Sequence, residues 1–245
     1  MKSFDDKESV QFSEQSHSDE SYNDGWSAVV GNERMTALAG AVLLVLILVE
    51  LVSAAVLHAL LSVHVFVGVL LTGPLVVKLT STSSRFLRYY TGSPAFVHKG
   101  PPHLALRMLA PLLIIATLLV LSSGIGLVVL GPHRAGPLVP LHTISALALL
   151  PLLAIHIFAH IRRVPRLVTD DWSSPSTEQA PGRGRRLGAN IGALLLGAVA
   201  AILLFPGATP WIAWSQAKVA IPGPLIVGLL AAALALLAIR PLRWR

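Results

Sequence analysis

The sequence predicts an all-α, polytopic membrane protein with six transmembrane helices. Of its 245 residues, 54% are hydrophobic and only 13% are charged, and the mean hydropathy is +0.70. Soluble domains have roughly 45–50% apolar and 25% charged residues. The apolar residues also form separate runs, each close to the roughly 20 residues that a helix needs to cross a bilayer.

Residues 1–34 precede the first apolar run and are predicted to form a disordered tail. They hold eight of the twelve acidic residues of the chain, together with many serines, and show no apolar periodicity. Such a segment buries too little apolar surface to offset its ordering entropy. It also lacks the basic start and immediate apolar stretch of a signal peptide.

The six apolar runs divide the rest of the chain into a four-helix block, a linker and a C-terminal hairpin. The block covers 35–162, with helices expected at roughly 35–57, 62–80, 107–130 and 138–162, within about 2–4 residues at each end. A basic cytoplasmic linker rich in Ser, Pro, Gly and Arg covers 163–187. The hairpin covers 188–245, with helices at roughly 188–205 and 223–240.

Lysine and arginine concentrate in the connections after the second and fourth helices and at the C-terminus. Basic residues favour the cytoplasmic side, so both termini are predicted to be cytoplasmic. The net charge of +7 therefore lies between membrane spans and does not indicate a nucleic-acid partner. Trp211 and Trp214, in the last outer connection, are typical of an aromatic belt in contact with membrane lipid.

The absence of cysteine limits the kinds of cofactor that the chain can bind. It excludes disulfides, cysteine-ligated iron–sulfur clusters, thiolate-ligated haem and covalently attached c-type haem. The sequence also lacks a phosphate-binding glycine loop, a zinc-protease signature and a flavin fingerprint. A redox centre in this chain would depend on its nine histidines.

Two histidines are predicted to face each other near the outer ends of helices 2 and 4. In the topology above both helices run from outside to inside, which places His64 and His142 at matching depth. Opposed neutral imidazoles are the axial ligands that a six-coordinate b-type haem requires. His156 follows His142 by about 21 Å along the helix and about 40° in azimuth, which allows a second haem nearer the inner face.

Three stretches of the block carry a family resemblance: LSVHVFVG, KLTSTSSRFLRYYTGSPAFVHKGPP and PLHTISALALLPLLAIHIFAHI, within residues 61–161. They resemble the four-helix b-type cytochromes of the cytochrome b561 and cytochrome b/b6 N-terminal group, above all uncharacterised actinobacterial membrane proteins of that kind. The resemblance implies that His64, His142 and His156 are haem-ligand positions. It also implies electron transfer between a quinone pool and a partner redox protein in the bacterial cytoplasmic membrane.

The chain departs from a two-haem pattern at Lys78, which stands on helix 2 where a partner for His156 is expected. The alternatives for that partner remain His103, His98, Lys78 or none. His160 shares a helix face with His142 and competes with His156, although its position beside two arginines favours a lipid-headgroup contact. His58 is an alternative outer ligand or quinone contact, with a solvated loop position favoured.

Glu50 is the only carboxylate inside a predicted span, where an unpaired charge costs several kcal/mol. It can orient a ligating imidazole through Nδ1, accept a proton from a quinol, or remain protonated on a carbonyl. Small residues four positions after the outer histidines, Gly68 and Ala146, leave room for a flat macrocycle. The arginines and lysine after helix 2 chiefly signal orientation, with contacts to headgroups or a haem propionate as a further role: Arg85, Arg88 and Lys99.

These observations predict a haem b electron-transfer subunit and not a complete enzyme, with one haem and space for two. One alternative is a transporter or structural membrane protein in which histidines and Glu50 line a proton or substrate path. Another is a non-haem metal site at His156 and His160, whose i, i+4 spacing suits zinc but which lacks a third ligand.

Overall fold

A computed structural model describes the backbone of residues 3–101, 103–172, 180–216 and 223–239, and the side chains of 24–101, 103–172, 180–215 and 225–238. Ten α-helices follow one another in this part of the chain: α1 (Ser3–Ala55), α2 (Leu57–Leu70), α3 (Thr72–Tyr90), α4 (Pro94–Lys99), α5 (Leu104–Leu130), α6 (Leu138–His160), α7 (Arg163–Asp170), α8 (Arg183–Leu204), α9 (Thr209–Gln216) and α10 (Gly223–Ile239).

Five helical stretches in the described residues are long and apolar enough to cross a membrane. They are Asp24–Ala55, Leu57–Tyr90, Leu104–Leu130, Leu138–His160 and Arg183–Ser215. The sixth predicted helix corresponds to α10, whose apolar described part, Leu225–Ala238, is shorter than the roughly 20 residues of a full span. The fold is therefore that of a multi-pass helical membrane protein.

The first two spans form a tight hairpin, since Val56 alone separates α1 from α2. At Leu71 the backbone keeps helical dihedral angles, with φ −55° and ψ −27°, so α2 and α3 form one continuous span. The prediction of a helix limited to 62–80 is too short at both ends. Polar residues after Lys78 stay helical because they pack on α1: Thr36 Oγ1 donates to Ser81 Oγ at 2.8 Å.

The expectation of a disordered tail is wrong for residues 3–34, which form the first part of α1. Val29 is only 1% exposed and packs against Ala95 and Phe96 of α4. The Glu33 carboxylate, 7% exposed, accepts from three basic side chains: Arg85 at 3.3 Å, Lys99 at 3.4 Å and Arg163 at 2.8 Å. The helix is ordered because its apolar and acidic residues both find partners on the basic connections.

The predicted linker at 163–187 is partly helical, because it contains α7 and the start of α8. Asp171 at the end of α7 is buried between two arginines: Arg34 Nη1 lies 3.3 Å from its Oδ1 and Arg186 Nε lies 3.2 Å from its Oδ2. These ion pairs join α1, α7 and α8 at one end of the molecule. We call this end, with the Glu33 and Asp171 clusters, the basic end.

The two long helices of the predicted C-terminal hairpin pack on different parts of the four-helix block. The first, α8, contacts α2 and α3, whereas α10 contacts α6. Glycines allow backbone contact at the α8 crossing: a Cβ added at Gly197 would lie 2.6 Å from the Leu70 carbonyl oxygen. Small residues at such contacts let membrane helices approach closely.

Candidate functional site

A cavity of about 1780 Å³ runs through the helix bundle from the basic end toward the α1–α2 hairpin turn. Its walls are mainly leucine, isoleucine and valine. The polar groups among them include Glu50, Lys78 and four histidines: His64, His142, His156 and His160. The three residues predicted as haem ligands and three of the four predicted supporting residues thus share one cavity.

His64 of α2 and His142 of α6 face each other near the hairpin-turn end of this cavity. Their ring centroids lie 6.2 Å apart and their planes are inclined by 84°. We call these two residues the facing imidazole pair. Metal–imidazole bonds are about 2 Å long, so two rings on opposite sides of one metal ion have centroids about 6 Å apart. The observed separation fits a single metal ion between them.

The His64 ring is oriented by two residues of α1. Its Nδ1 lies 2.8 Å from Glu50 Oε2 and 3.3 Å from Ser53 Oγ. Ser53 is completely buried and donates to the same carboxylate oxygen at 3.0 Å. The single-residue turn at Val56 brings Glu50 and His64 to similar depth on adjacent antiparallel helices. Glu50 thus occupies the position expected of an Nδ1 acceptor.

The His142 ring is oriented in the same way by α5. Its Nδ1 lies 3.0 Å from the Val120 carbonyl oxygen and 3.2 Å from Ser123 Oγ. A Cβ added at Gly124 would lie 3.1 Å from His142 Cε1, so the ring occupies space that a glycine leaves open. The sequence analysis recognised neither the serines nor the role of this glycine.

These contacts determine which nitrogen of each neutral ring is available to bind a metal. A carbonyl or carboxylate oxygen can only accept, so Nδ1 of each ring is the donor and Nε2 carries the lone pair. No hydrogen bond to either Nε2 is found among the described side chains. A histidine that binds metal typically donates its other N–H to a carboxylate or a backbone carbonyl. The facing imidazole pair has this arrangement on both sides.

His156 and His160 form a second group nearer the basic end. Their rings stack with centroids 4.6 Å apart, and His160 Nδ1 donates to the His156 carbonyl oxygen at 2.9 Å. We call them the stacked imidazole pair. Both project from α6, so they lie side by side and not opposite each other. The described residues place no imidazole across the cavity from His156 in the way that His64 opposes His142.

Lys78 lies across the cavity from the stacked imidazole pair. Its Nζ donates to the Thr36 carbonyl oxygen of α1 at 3.4 Å, and a Cβ added at Gly40 would lie 2.9 Å from Nζ. The ammonium interacts electrostatically with both stacked imidazoles. The α1 backbone therefore solvates the ammonium group through the Thr36 carbonyl. Lys78 is not arranged as an iron ligand.

The remaining candidate histidines lie outside the cavity. His58, His98 and His133 are exposed, and the exposed His103 accepts from the Ala105 N–H at 3.3 Å at the start of α5. None of them lines the cavity, so the structure does not bring His98 or His103 to His156, or His58 to the facing imidazole pair.

The structure also describes the surroundings of three further groups of residues singled out in the sequence. Trp211 is buried, and its Nε1 donates to the Leu127 carbonyl oxygen at 2.8 Å, so it does not lie in a lipid-facing belt. Gly68 makes room for the Glu50 carboxylate, since a Cβ there would lie 2.7 Å from Oε1. Arg85 and Lys99 bind Glu33, while Arg88 lies 5.2 Å above the Phe96 ring.

No group of three or more His, Cys, Asp or Glu side chains suited to a metal ion is found in the described part of the chain. The alternative of a non-haem site at His156 and His160 therefore lacks a third protein ligand there. A b-type haem needs only two axial side chains, because the porphyrin supplies the other four nitrogens.

Comparison with protein-family models, curated proteins and solved structures finds no match to this chain.

Proposed function

We propose that this protein is a membrane-bound b-type cytochrome that holds one haem b between His64 and His142 and transfers electrons. The observation that carries the proposal is the facing imidazole pair: 6.2 Å between centroids, with each Nδ1 bound to an oxygen acceptor. This arrangement leaves the Nε2 lone pair of each neutral ring free to bind a metal.

The haem, when bound, supplies one-electron chemistry at its iron. His64 and His142 would hold it, while Glu50, Ser53, Ser123 and the Val120 carbonyl keep the two rings in position. The apolar helix walls exclude water, and such a low-dielectric surrounding contributes to the reduction potential. Glu50 gives an anionic hydrogen-bond acceptor to His64 only. The two imidazoles would therefore differ in how strongly they donate electron density to the iron.

The proposal assigns one haem and not two. His156 keeps its predicted place in the same cavity, but the nearest ring is that of His160 on its own helix. A quinone and a partner redox protein remain part of the proposal through the sequence resemblance, as does a bacterial cytoplasmic membrane. Because the chain shows no other cofactor motif, it would act as an electron-transfer subunit.

The test is spectroscopic. The full-length protein is purified in a mild detergent from haem-replete cells, and a reduced-minus-oxidised spectrum and a pyridine haemochrome are recorded. We expect a b-type spectrum with about one haem per chain. A colourless preparation would contradict the proposal and favour the transporter alternative.

Variants at the histidines make the test specific to the site. We expect His142→Ala and His64→Ala each to remove the low-spin six-coordinate spectrum, since each deletes one axial ligand. His133→Ala and His58→Ala are matched controls, because both side chains are exposed and lie outside the cavity. Equal loss of haem in the controls, or a normal spectrum in His142→Ala, would rule out the facing imidazole pair as ligands.

A further inference from the structure

Lys78 lines the cavity, and no described carboxylate balances its charge. At the basic end, Arg85, Lys99 and Arg163 share Glu33, and Arg34 and Arg186 share Asp171. Lys78, in contrast, has no carboxylate within ion-pair distance among the described residues, and its one hydrogen bond is to a carbonyl at 3.4 Å. An ammonium has three N–H donors, so two are left for another group.

The position of Lys78 makes this imbalance costly. Lys78 precedes Arg85 by seven residues, about 10 Å along α3, and it lies within the apolar span Leu57–Tyr90. A charged side chain in a span is expensive unless it is paired or solvated. Gly40 leaves the space that the ammonium occupies, so α1 accommodates the charge without neutralising it.

The surroundings of Lys78 combine polar donors with apolar walls. The stacked imidazole pair lies across the cavity, with His156 and His160 interacting electrostatically with the ammonium. Beyond this polar group the lining is aliphatic, with side chains contributed by α3, α5 and α6: Leu75, Leu79, Leu113, Leu149 and Leu153. A polar end followed by an apolar channel matches a molecule with an anionic head and a hydrocarbon chain.

We propose that the Lys78 end of the cavity binds an anionic amphiphile, a carboxylate or phosphate headgroup on an acyl chain. Lys78 pairs with the anion, and the acyl chain lies along the leucine walls toward the centre of the bundle. The headgroup would enter at the basic end, where arginines and lysines attract anionic lipids of the cytoplasmic leaflet. This site is separate from the facing imidazole pair and does not depend on haem being present.

The test measures displacement of a fluorescent anthroyloxy-stearate probe from the delipidated full-length protein in a neutral detergent. We expect oleate to displace the probe about tenfold to a hundredfold better than oleyl alcohol, the range for one hydrogen bond to a charged group. Phosphatidylglycerol against phosphatidylcholine gives the same comparison for a phosphate headgroup. Stronger competition by oleate identifies a fatty acid, and stronger competition by phosphatidylglycerol identifies a phospholipid.

Variants of Lys78 decide whether the site depends on this ammonium. Lys78→Met keeps the length of the side chain and should abolish the preference for oleate over the alcohol, whereas Lys78→Arg should retain it. Lys99→Met is the matched control, because Lys99 pairs with Glu33 and lies outside the cavity lining. Elution volume and thermal unfolding of each variant show that it is folded.

Two results would overturn the proposal. One is probe binding by folded Lys78→Met with unchanged affinity and unchanged anion preference. The other is two haems per chain in the pyridine haemochrome, because a second macrocycle would fill the same space. If only the haem proposal is wrong, the result is different: the protein is colourless but still binds the probe in a way that depends on Lys78.

Discussion

The two residues of the facing imidazole pair differ in the acceptor that each one uses. His64 donates to the Glu50 carboxylate at 2.8 Å, whereas His142 donates to the neutral Val120 carbonyl at 3.0 Å. A carboxylate makes a ligating imidazole more basic, which stabilises the oxidised metal. In the proposed haem site, His64 is therefore expected to tune the reduction potential, and His142 mainly to hold the metal.

Glu50→Gln tests this difference. The amide oxygen can still accept from His64 Nδ1, so we expect the haem spectrum to be retained. Loss of the negative charge should raise the midpoint potential by tens of millivolts, where about 59 mV corresponds to a tenfold shift of a one-electron equilibrium. The measurement is a redox titration followed at the reduced haem band, and an unchanged potential would show that Glu50 does not act through His64.

Gly124→Ala tests the space behind His142. The new Cβ would lie 3.1 Å from Cε1 and 3.4 Å from Nδ1, which pushes the ring away from the Val120 carbonyl. We expect haem affinity to fall by about 10–100-fold, as when other groups that orient a ligand are changed. The measurement is haem content per chain after dilution in detergent.

Gly126→Ala is the matched control on the same helix. Its Cβ would lie 3.0 Å from Leu138 Cδ1, the end of a flexible side chain that can rotate away. We expect normal haem content in this variant. If both alanine variants lose haem to the same extent, the effect belongs to general packing of α5 and not to His142.

Part of the residue-scale arrangement was predictable and part was not. Helix geometry and span direction are enough to bring His64 opposite His142, and Glu50 was the only carboxylate available for Nδ1. Ser53, Ser123 and the Val120 carbonyl carry no distinctive spacing, because a serine or a backbone oxygen occurs everywhere. Their positions follow from helix rotation, which hydrophobic runs do not specify when all faces are apolar.

At the scale of helices, the α8 crossing depends on backbone contact between glycines. A Cβ at Gly197 would lie 2.6 Å from the Leu70 carbonyl oxygen, where α2 passes into α3. A backbone oxygen cannot rotate away as a side chain can. Helix α8 is thus packed on the span that carries His64 and Lys78.

Gly197→Ala should separate α8 from this span. We expect a loss of about 1–3 kcal/mol, the usual cost of overpacking, and a fall of several degrees in the unfolding temperature, at about 2–4 °C per kcal/mol for a chain of this size. Gly188→Ala, at an exposed position of α8 with open space around it, should leave the temperature unchanged or slightly raised. Thermal unfolding in detergent checks both, and equal stability of the two variants would contradict the close contact.

The helix that sequence analysis missed is the start of α1. Its acidic, serine-rich composition is typical of disorder because the segment has no core of its own. Order comes from residues distant in the chain: Phe96 covers Val29, and three basic side chains bind Glu33. A local sequence pattern cannot predict such long-range charge pairing. The excess of basic residues in the connections was the one signal that pointed to it.

At the scale of the whole molecule, the structure gathers the basic connections at one end. Glu33, Arg85 and Arg163 meet there, while His133 lies in the connection between α5 and α6. The five long spans and the sharing of one end by these connections follow from apolar runs and charge, which act over whole segments. The sequence could not predict how α8 and α10 dock, since lipid-facing and helix-facing apolar residues look alike.

The absence of cysteine makes the predicted orientation directly testable. We expect His133→Cys to react with a membrane-impermeant maleimide in intact cells, and Arg166→Cys to react only after permeabilisation. Both positions are exposed, and the positive-inside rule places the basic one in the cytoplasm. Labelling of both residues from the same side would contradict the topology, and the unmodified chain supplies the background.

The Val56 turn has a consequence for biogenesis. Glu50, Ser53 and His64 belong to one hairpin of consecutive helices, and Val120, Ser123 and His142 belong to another. Each imidazole can therefore acquire its orienting partner as its own hairpin enters the bilayer, before the other hairpin is made. The two imidazoles face each other only after the two hairpins associate. Binding of the proposed haem would therefore indicate that assembly is complete.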